Sequence, residues 1–178
     1  MLQYWEIAAI PVVFLLGSLL HFTYDWSGQK HWVGWFSVST ESVWEHQKQL
    51  FFPSCLYAII EFIWLKDGLV GFWTAKAVAV LIGIIFMICG YYAYKLVIKR
   101  HIVFCNVLLL LVSVAVTQHF SFYFLEHQWF QSGLWPGLGI PILLLLAVIF
   151  VVWTYSPPKL PIFCERKSQS YGMLKKKK

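Results

Sequence analysis

The chain has 178 residues, of which 60% are hydrophobic, 19% are aromatic and 12% are charged, with a formal net charge of +6. Soluble domains carry about 25% charged residues, so this composition excludes an ordinary globular surface and indicates an integral membrane protein. The sequence contains no nucleotide-binding, zinc-hydrolase or serine-hydrolase motif. Nucleic acid is not an expected partner, because the topology of the chain already explains its basic residues.

Five apolar segments predict five membrane-spanning helices, at residues 5–24, 43–65, 71–94, 102–125 and 137–155. Each approaches the roughly 20 residues that cross about 30 Å of hydrocarbon. None alternates between polar and apolar residues, as the strands of a membrane barrel would. We therefore expect an all-α, polytopic transmembrane helix bundle that forms one domain over residues 1–158, followed by a basic tail at 159–178.

The distribution of lysine and arginine predicts the orientation of the bundle. With the N-terminus outside, twelve of the fourteen basic residues lie on the cytoplasmic side. We therefore expect a multi-pass protein of the plasma membrane with a cytoplasmic C-terminus. The tail ends in four lysines, which either contact an anionic leaflet at about 1 kcal/mol each or, in the preferred interpretation, only help to fix the topology. These residues are Lys175, Lys176, Lys177 and Lys178.

Polar residues concentrate where the first predicted helix ends and the second begins, at the predicted cytoplasmic face. The stretch "ESVWEHQK", residues 41–48, opens the second helix, and three polar residues at the end of the first share one helical face. This pattern predicts a site for an ion or a small polar solute. Its candidate residues are His21, Tyr24, Asp25, Glu41, Glu45, His46 and Lys48.

The imidazoles of this cluster suit either of two roles. Together with His101, which begins the fourth predicted helix at the same face, His21 and His46 are candidate ligands of a divalent transition metal. The same mixture of imidazole and carboxylate suits a proton relay.

Structural interpretations of the same residues stay open at this point. Ser42 and Glu45 fit the capping box of a helix start, and Lys48 has the length to extend its ammonium group to the lipid headgroups. His21 and Asp25 would form an ordinary pair at a helix end.

A weaker secondary cluster is predicted in the outer half of the membrane. Glu61 lies near the end of the second helix, where it has no capping role, and His119 of the fourth helix lies at a similar depth. Ionisable residues inside spans are unfavourable there unless paired and usually mark a functional site. We therefore expect Glu61 and His119 to form a pair.

Two further stripes predict helix packing. The fourth helix carries four polar residues within about 80°, which either line a polar path or, in the preferred interpretation, hydrogen-bond to neighbouring helices. These are Asn106, Ser113, Thr117 and Ser121. The third helix has a small-residue edge for close packing, formed by Ala75, Ala79 and Gly83.

Residues 21–53 resemble a bacterial family of small polytopic membrane proteins of unknown function. The shared positions are His21, Tyr24, Glu41, Ser42, Trp44, Glu45, His46, Lys48, Phe51, Phe52 and Pro53, with Glu61, Pro157, Pro158 and Lys159 further on. Thr40 stands where the family pattern has asparagine, which weakens any role for that side chain. The resemblance implies a bacterial plasma membrane protein and brings no assigned activity.

Three functions are consistent with these features. The leading hypothesis is a protein that binds an ion, a proton or a small polar solute as a component of transport or sensing, without ATP. The second is a membrane-embedded, metal-dependent hydrolase acting on lipid, with Glu41 or Glu45 as the general base. The third is an assembly subunit without chemistry, whose charges only cap helices and fix topology.

Overall fold

A computed structural model describes residues 1–65, 69–98, 102–165 and 168–173. Within these ranges the protein is helical and has no strand, which confirms the predicted all-α class. Two 3₁₀ turns, Val33–Trp35 and Pro161–Phe163, complete the regular structure. The α-helices are α1 (Leu2–Trp26), α2 (Val43–His46), α3 (Lys48–Trp64), α4 (Phe72–Ile98), α5 (Val103–Glu126) and α6 (Trp135–Tyr155).

Among the described residues, four helices (α1, α4, α5 and α6) are long and apolar enough to cross a membrane. The chain is therefore an integral, multi-pass membrane protein, as predicted. The second predicted span is divided, because α3 has 17 residues and is preceded by the single turn α2. Gln47 joins the two with helical φ and ψ of −65° and −23°. The side of the membrane on which each terminus lies, and the kind of membrane, stay predictions.

The long helices alternate in direction, so the bundle has two ends that differ in chemistry. At one end, which we call the α2 end, lie the C-terminal ends of α1, α4 and α6 and the N-terminal ends of α3 and α5. The opposite termini of these five helices lie at the other end, which we call the far end. Helix α1 packs against α3 and α5, and α4 packs against α5 and α6. Large apolar side chains cover the outside, as a lipid-facing surface requires; examples are Leu15, Ile85, Leu144 and Val148.

The two predicted packing stripes face inward. The small-residue edge of α4 is buried, and a Cβ on Gly83 would overlap the hydroxyl of Thr117 in α5, which confirms the close packing. Within the polar stripe, the hydroxyls of Ser113 and Thr117 donate to carbonyls of their own helix at 2.7 and 2.9 Å. Only part of that stripe therefore joins helices, through Ser121 to α1 and Asn106 to α4.

Gly137 and Gly139 form a matched pair that tests the contact between α4 and α6. A Cβ on Gly139 would overlap the backbone of Trp73 and Thr74, whereas a Cβ on Gly137 would meet nothing within 4 Å. We expect Gly139→Ala to lower the free energy of unfolding by about 1 to 3 kcal/mol, the usual range for overpacking. Gly137→Ala should leave it unchanged or raise it, because alanine favours the helix. Thermal unfolding followed by circular dichroism measures both, and equal effects would contradict the close contact.

Candidate functional site

The linker between α1 and α2 folds over the α2 end and is fastened there. The hydroxyl of Ser37 donates to the Leu20 carbonyl at 2.6 Å and accepts from the Tyr24 amide at 3.0 Å. The indole of Trp35 donates to the Tyr155 hydroxyl at 2.8 Å. These bonds hold the linker against α1 and α6 and fix the approach of the chain to α2.

Glu45 and Lys48 form a buried ion pair at the centre of this end. The Lys48 ammonium lies 2.8 Å from Oε2 of Glu45 and donates to the Gly34 carbonyl at 2.7 Å and to Oγ1 of Thr154 at 2.6 Å. The Glu45 carboxylate accepts from the amide and the hydroxyl of Ser39 at 3.0 and 2.8 Å, and its other oxygen lies 3.0 Å from Thr154. Both charges are therefore fully bonded, so this pair locks the linker, α3 and α6 together.

This geometry corrects two sequence interpretations. Lys48 does not extend to the lipid headgroups, because its side chain is completely buried. The capping box is half formed: the Ser42 hydroxyl accepts from the Glu45 amide at 3.2 Å, but the Glu45 carboxylate turns to Ser39 and Lys48. The role of Glu41 or Glu45 as a general base stays a prediction.

A cavity of about 440 Å³ lies beside this ion pair, between α1, α3, α4 and α5. The polar residues of its lining, which we call its polar side, include His21, Glu41, His46, Gln47, Gln49 and Asn106. The apolar residues of the lining, which we call its other side, include Phe22, Met87, Val103, Val107 and Leu110. Its volume lies within the range of small-molecule sites, about 300 to 1,000 Å³, and we call it the α2-end cavity.

Glu41 faces two imidazoles across this cavity. Its oxygens lie 3.9 Å from Nε2 of His21 and 3.7 Å from Nε2 of His46, both longer than a hydrogen bond. The two rings are 5.4 Å apart between centroids. This carboxylate is partly exposed in the cavity, with a side-chain exposure of 37%, and its distances leave room for a donor between it and the rings.

One nitrogen of each imidazole is held by a neighbouring polar group. The amide nitrogen of Gln49 lies 3.0 Å from Nδ1 of His21. Nδ1 of His46 lies 2.7 Å from the Ser42 carbonyl, so this nitrogen donates. Glu41 is the only carboxylate among the described residues that line the cavity.

Gln47 holds a second, buried acceptor next to the polar side. Its amide nitrogen donates to the Val43 carbonyl at 3.0 Å, whereas its carbonyl oxygen is buried and has no hydrogen-bond partner among the described residues. A buried acceptor without a donor is unfavourable. The carboxylate of Glu41 is therefore the acceptor that the cavity presents most directly, and its complement is a group that donates hydrogen bonds.

The structure brings some of the predicted residues together and separates others. His21, Glu41 and His46 meet as expected. Asp25 does not join them, because its side chain is exposed and lies 3.4 Å from the amide of Gln29. Tyr24 is buried beneath the linker, beside Gly34.

The predicted metal site has no support in the described ranges. In the part of the chain that the structure describes, no group of three histidine, cysteine, aspartate or glutamate side chains is placed to hold a metal ion. His101 and the four terminal lysines lie outside the described residues.

At the far end, the predicted pairing of Glu61 with His119 is wrong. The His119 side chain is exposed, whereas Glu61 is buried and in direct contact with the ammonium of Lys76. The same ammonium lies 2.8 Å from Oε1 of Glu6, which also accepts from the Ser121 hydroxyl at 2.6 Å. Sequence reasoning missed Glu6 and Lys76, although both are ionisable residues inside apolar segments, the signal that first drew attention to Glu61.

Comparison with known proteins gives one match. A family model described as "Family of unknown function (DUF6512)" covers residues 1–173. No curated protein and no solved structure matches the chain. The site must therefore be interpreted from its own geometry.

Proposed function

We propose that this chain, which belongs to the DUF6512 family of unknown function, binds a small amphiphilic amine in the α2-end cavity as a component of transport or sensing. The observation that carries the proposal is the carboxylate of Glu41, the only one among the described residues that line the cavity. It lies 3.7 and 3.9 Å from the two imidazoles, beyond hydrogen-bond distance, and the buried carbonyl oxygen of Gln47 has no hydrogen-bond partner among the described residues. An ammonium group offers three donors and a positive charge, which matches both.

The body of the ligand follows from the rest of the cavity. Side chains such as Met87, Val107 and Leu110 line its other side, and apolar surface there favours an apolar chain or ring. A cavity of about 440 Å³ accommodates a compact molecule with one such group. The imidazoles of His21 and His46 flank the charged end and limit how the head group approaches Glu41.

Binding of 2-phenylethylamine tests the proposal. Its neutral and anionic analogues, 2-phenylethanol and phenylacetate, share the ring and differ in the head group. Protein purified in an uncharged detergent should bind the amine, measured by calorimetry and by the rise in unfolding temperature that a ligand of the folded state produces. Phenylacetate should bind much more weakly, because its carboxylate faces Glu41.

Two matched variants locate the site. Glu41→Gln removes the negative charge and should weaken binding of the amine by about 10- to 100-fold, the value of one charge-assisted hydrogen bond. Asp25→Asn removes an exposed carboxylate at the same end that lies outside the cavity lining, so it should leave the affinity unchanged. Equal binding of the three ring compounds, or equal effects of the two variants, would contradict the proposal.

A further inference from the structure

Three ionisable side chains are buried together at the far end, about one helical turn from the helix termini. Glu6, Glu61 and Lys76 are 3%, 0% and 5% exposed. They come from three different helices, and the ammonium contacts both carboxyl groups. If all three groups were ionised, the cluster would carry a net charge of −1 in an apolar interior. Such a charge is strongly unfavourable unless a further cation joins it.

The two carboxyl groups differ in how well they are stabilised as anions. Oε1 of Glu6 accepts from Lys76 and from Ser121, at 2.8 and 2.6 Å. Glu61 touches only the ammonium, and neither of its oxygens accepts a hydrogen bond from another described residue. Because hydrogen bonds to a carboxylate favour its charged form, Glu6 is the better anion and Glu61 is the better position for a proton.

A small, mostly apolar cavity lies beside Lys76 of this cluster, on the side of the membrane interior. Its volume is about 10 Å³, and Ser54, Lys76, Thr117 and Gln118 are among its lining residues. That volume corresponds to about one water molecule. The hydroxyl of Ser54 is buried there without a partner among the described residues. Ser54 and Glu61 are seven residues apart, so they lie on the same face of α3 with a rise of about 10 Å between them.

We propose that Glu61 is a proton-binding site, which holds one proton at neutral pH and exchanges it with water. Protonation converts its carboxylate to a carboxylic acid and brings the cluster to neutrality, with Glu6 and Lys76 as the remaining ion pair. The new O–H also gives Glu61 a donor.

The charged and titratable groups that face Glu61 from the neighbouring helices are consistent with this assignment. Helix α1 presents Glu6, α4 presents Lys76, and α5 presents the uncharged Ser121. On α3 itself, the hydroxyl of Tyr57 is already used, because it donates to the Trp5 carbonyl at 2.7 Å. This site lies at the opposite end of the bundle from the α2-end cavity, so the inference goes beyond amine binding and does not depend on it.

Infrared spectroscopy of the purified protein tests the proposal directly. At pH 7 the full chain should show the C=O stretching band of a protonated carboxylic acid, and this band should shift to lower frequency in D₂O as the proton exchanges. Glu61→Gln should abolish the band, because glutamine imitates the neutral acid in shape but has no carboxyl group. Glu126→Gln removes an exposed carboxylate from the same end and should leave the band unchanged.

Several results would overturn the assignment. Absence of the band in the wild-type protein would mean that both carboxyl groups are ionised. A rise in unfolding temperature that only sodium produces would then indicate that a bound metal cation, and not a proton, balances the charge of the cluster. A band that persists in Glu61→Gln belongs to another residue. If the wild-type band does not shift in D₂O, the proton does not exchange with water, which contradicts the proposal. This measurement uses only the wild-type protein, so it does not depend on the folding of any variant.

Discussion

Replacement of Lys76 by methionine is expected to lower the free energy of unfolding by about 3 to 5 kcal/mol, the usual effect of removing one partner of a buried ion pair. Methionine has a similar length and fills a similar space, so the loss is mainly electrostatic. The ammonium of Lys76 contacts both Glu6 and Glu61, and the ionised carboxylate of Glu6 loses its counter-charge. Thermal or chemical unfolding in detergent measures the change.

A control and two second-site variants make the result specific. Lys95→Met removes an exposed lysine from the same helix and should have little effect. If Glu61 already holds a proton, Glu6→Gln in the Lys76→Met background removes the last charge and should restore most of the stability. Glu61→Gln should restore much less, because it leaves Glu6 ionised and unpaired. Equal restoration by the two changes would contradict the unequal roles of the carboxyl groups.

The fold followed from the sequence more completely than the site did. Long apolar runs determine helices in a membrane, because only internal hydrogen bonding satisfies the backbone in lipid; the observed boundaries lie within a few residues of the predicted ones. The break at Gln47 was not predictable from apolarity, since the pattern continues through it. The buried position of Lys48 also depended on the path of the linker, whose carbonyls accept from its ammonium.

Helix geometry explains which parts of the site were predictable. His21, Glu41 and His46 lie next to each other because the linker between α1 and α2 folds back over the α2 end and brings Glu41 and α2 to the end of α1. Asp25 was expected with them, but the linker covers the neighbouring surface of α1 at Tyr24 and leaves Asp25 exposed. No pattern in the sequence reports the route of such a segment.

The wrong pairing of His119 with Glu61 could have been excluded from the sequence. Thr117 and Ser121 were expected to lie within one inward-facing stripe of α5, and His119 is two residues from each, which is about 200° around a helix. It therefore faces away from the bundle whenever the stripe faces inward. The partners of Glu61 were harder to find, because they required knowing that α1 and α4 both approach α3 at the far end.

Lys48→Met is expected to cause the second large loss of stability. It removes the cation of the buried ion pair with Glu45 at the α2 end. Besides the Glu45 carboxylate, the carbonyl of Gly34 and Oγ1 of Thr154 lose their donor. A loss of about 3 to 5 kcal/mol in the free energy of unfolding follows from the unpaired buried carboxylate. Unfolding in detergent measures it, with the exposed linker residue Lys30 as the control in Lys30→Met.

Lys48→Met should also weaken amine binding in the α2-end cavity, because the ion pair holds α2 in place. Glu41 and His46 flank Glu45 in the chain, so loss of the bond between Lys48 and Glu45 loosens the acceptors that line the α2-end cavity. Adding Glu45→Gln to Lys48→Met removes the unpaired charge and should recover stability, but it does not rebuild the bonds from the ammonium to the linker and α6. The double variant is therefore expected to fold and still bind 2-phenylethylamine more weakly than the wild type. Full affinity in that variant would mean that the ion pair stabilises the bundle without positioning the site.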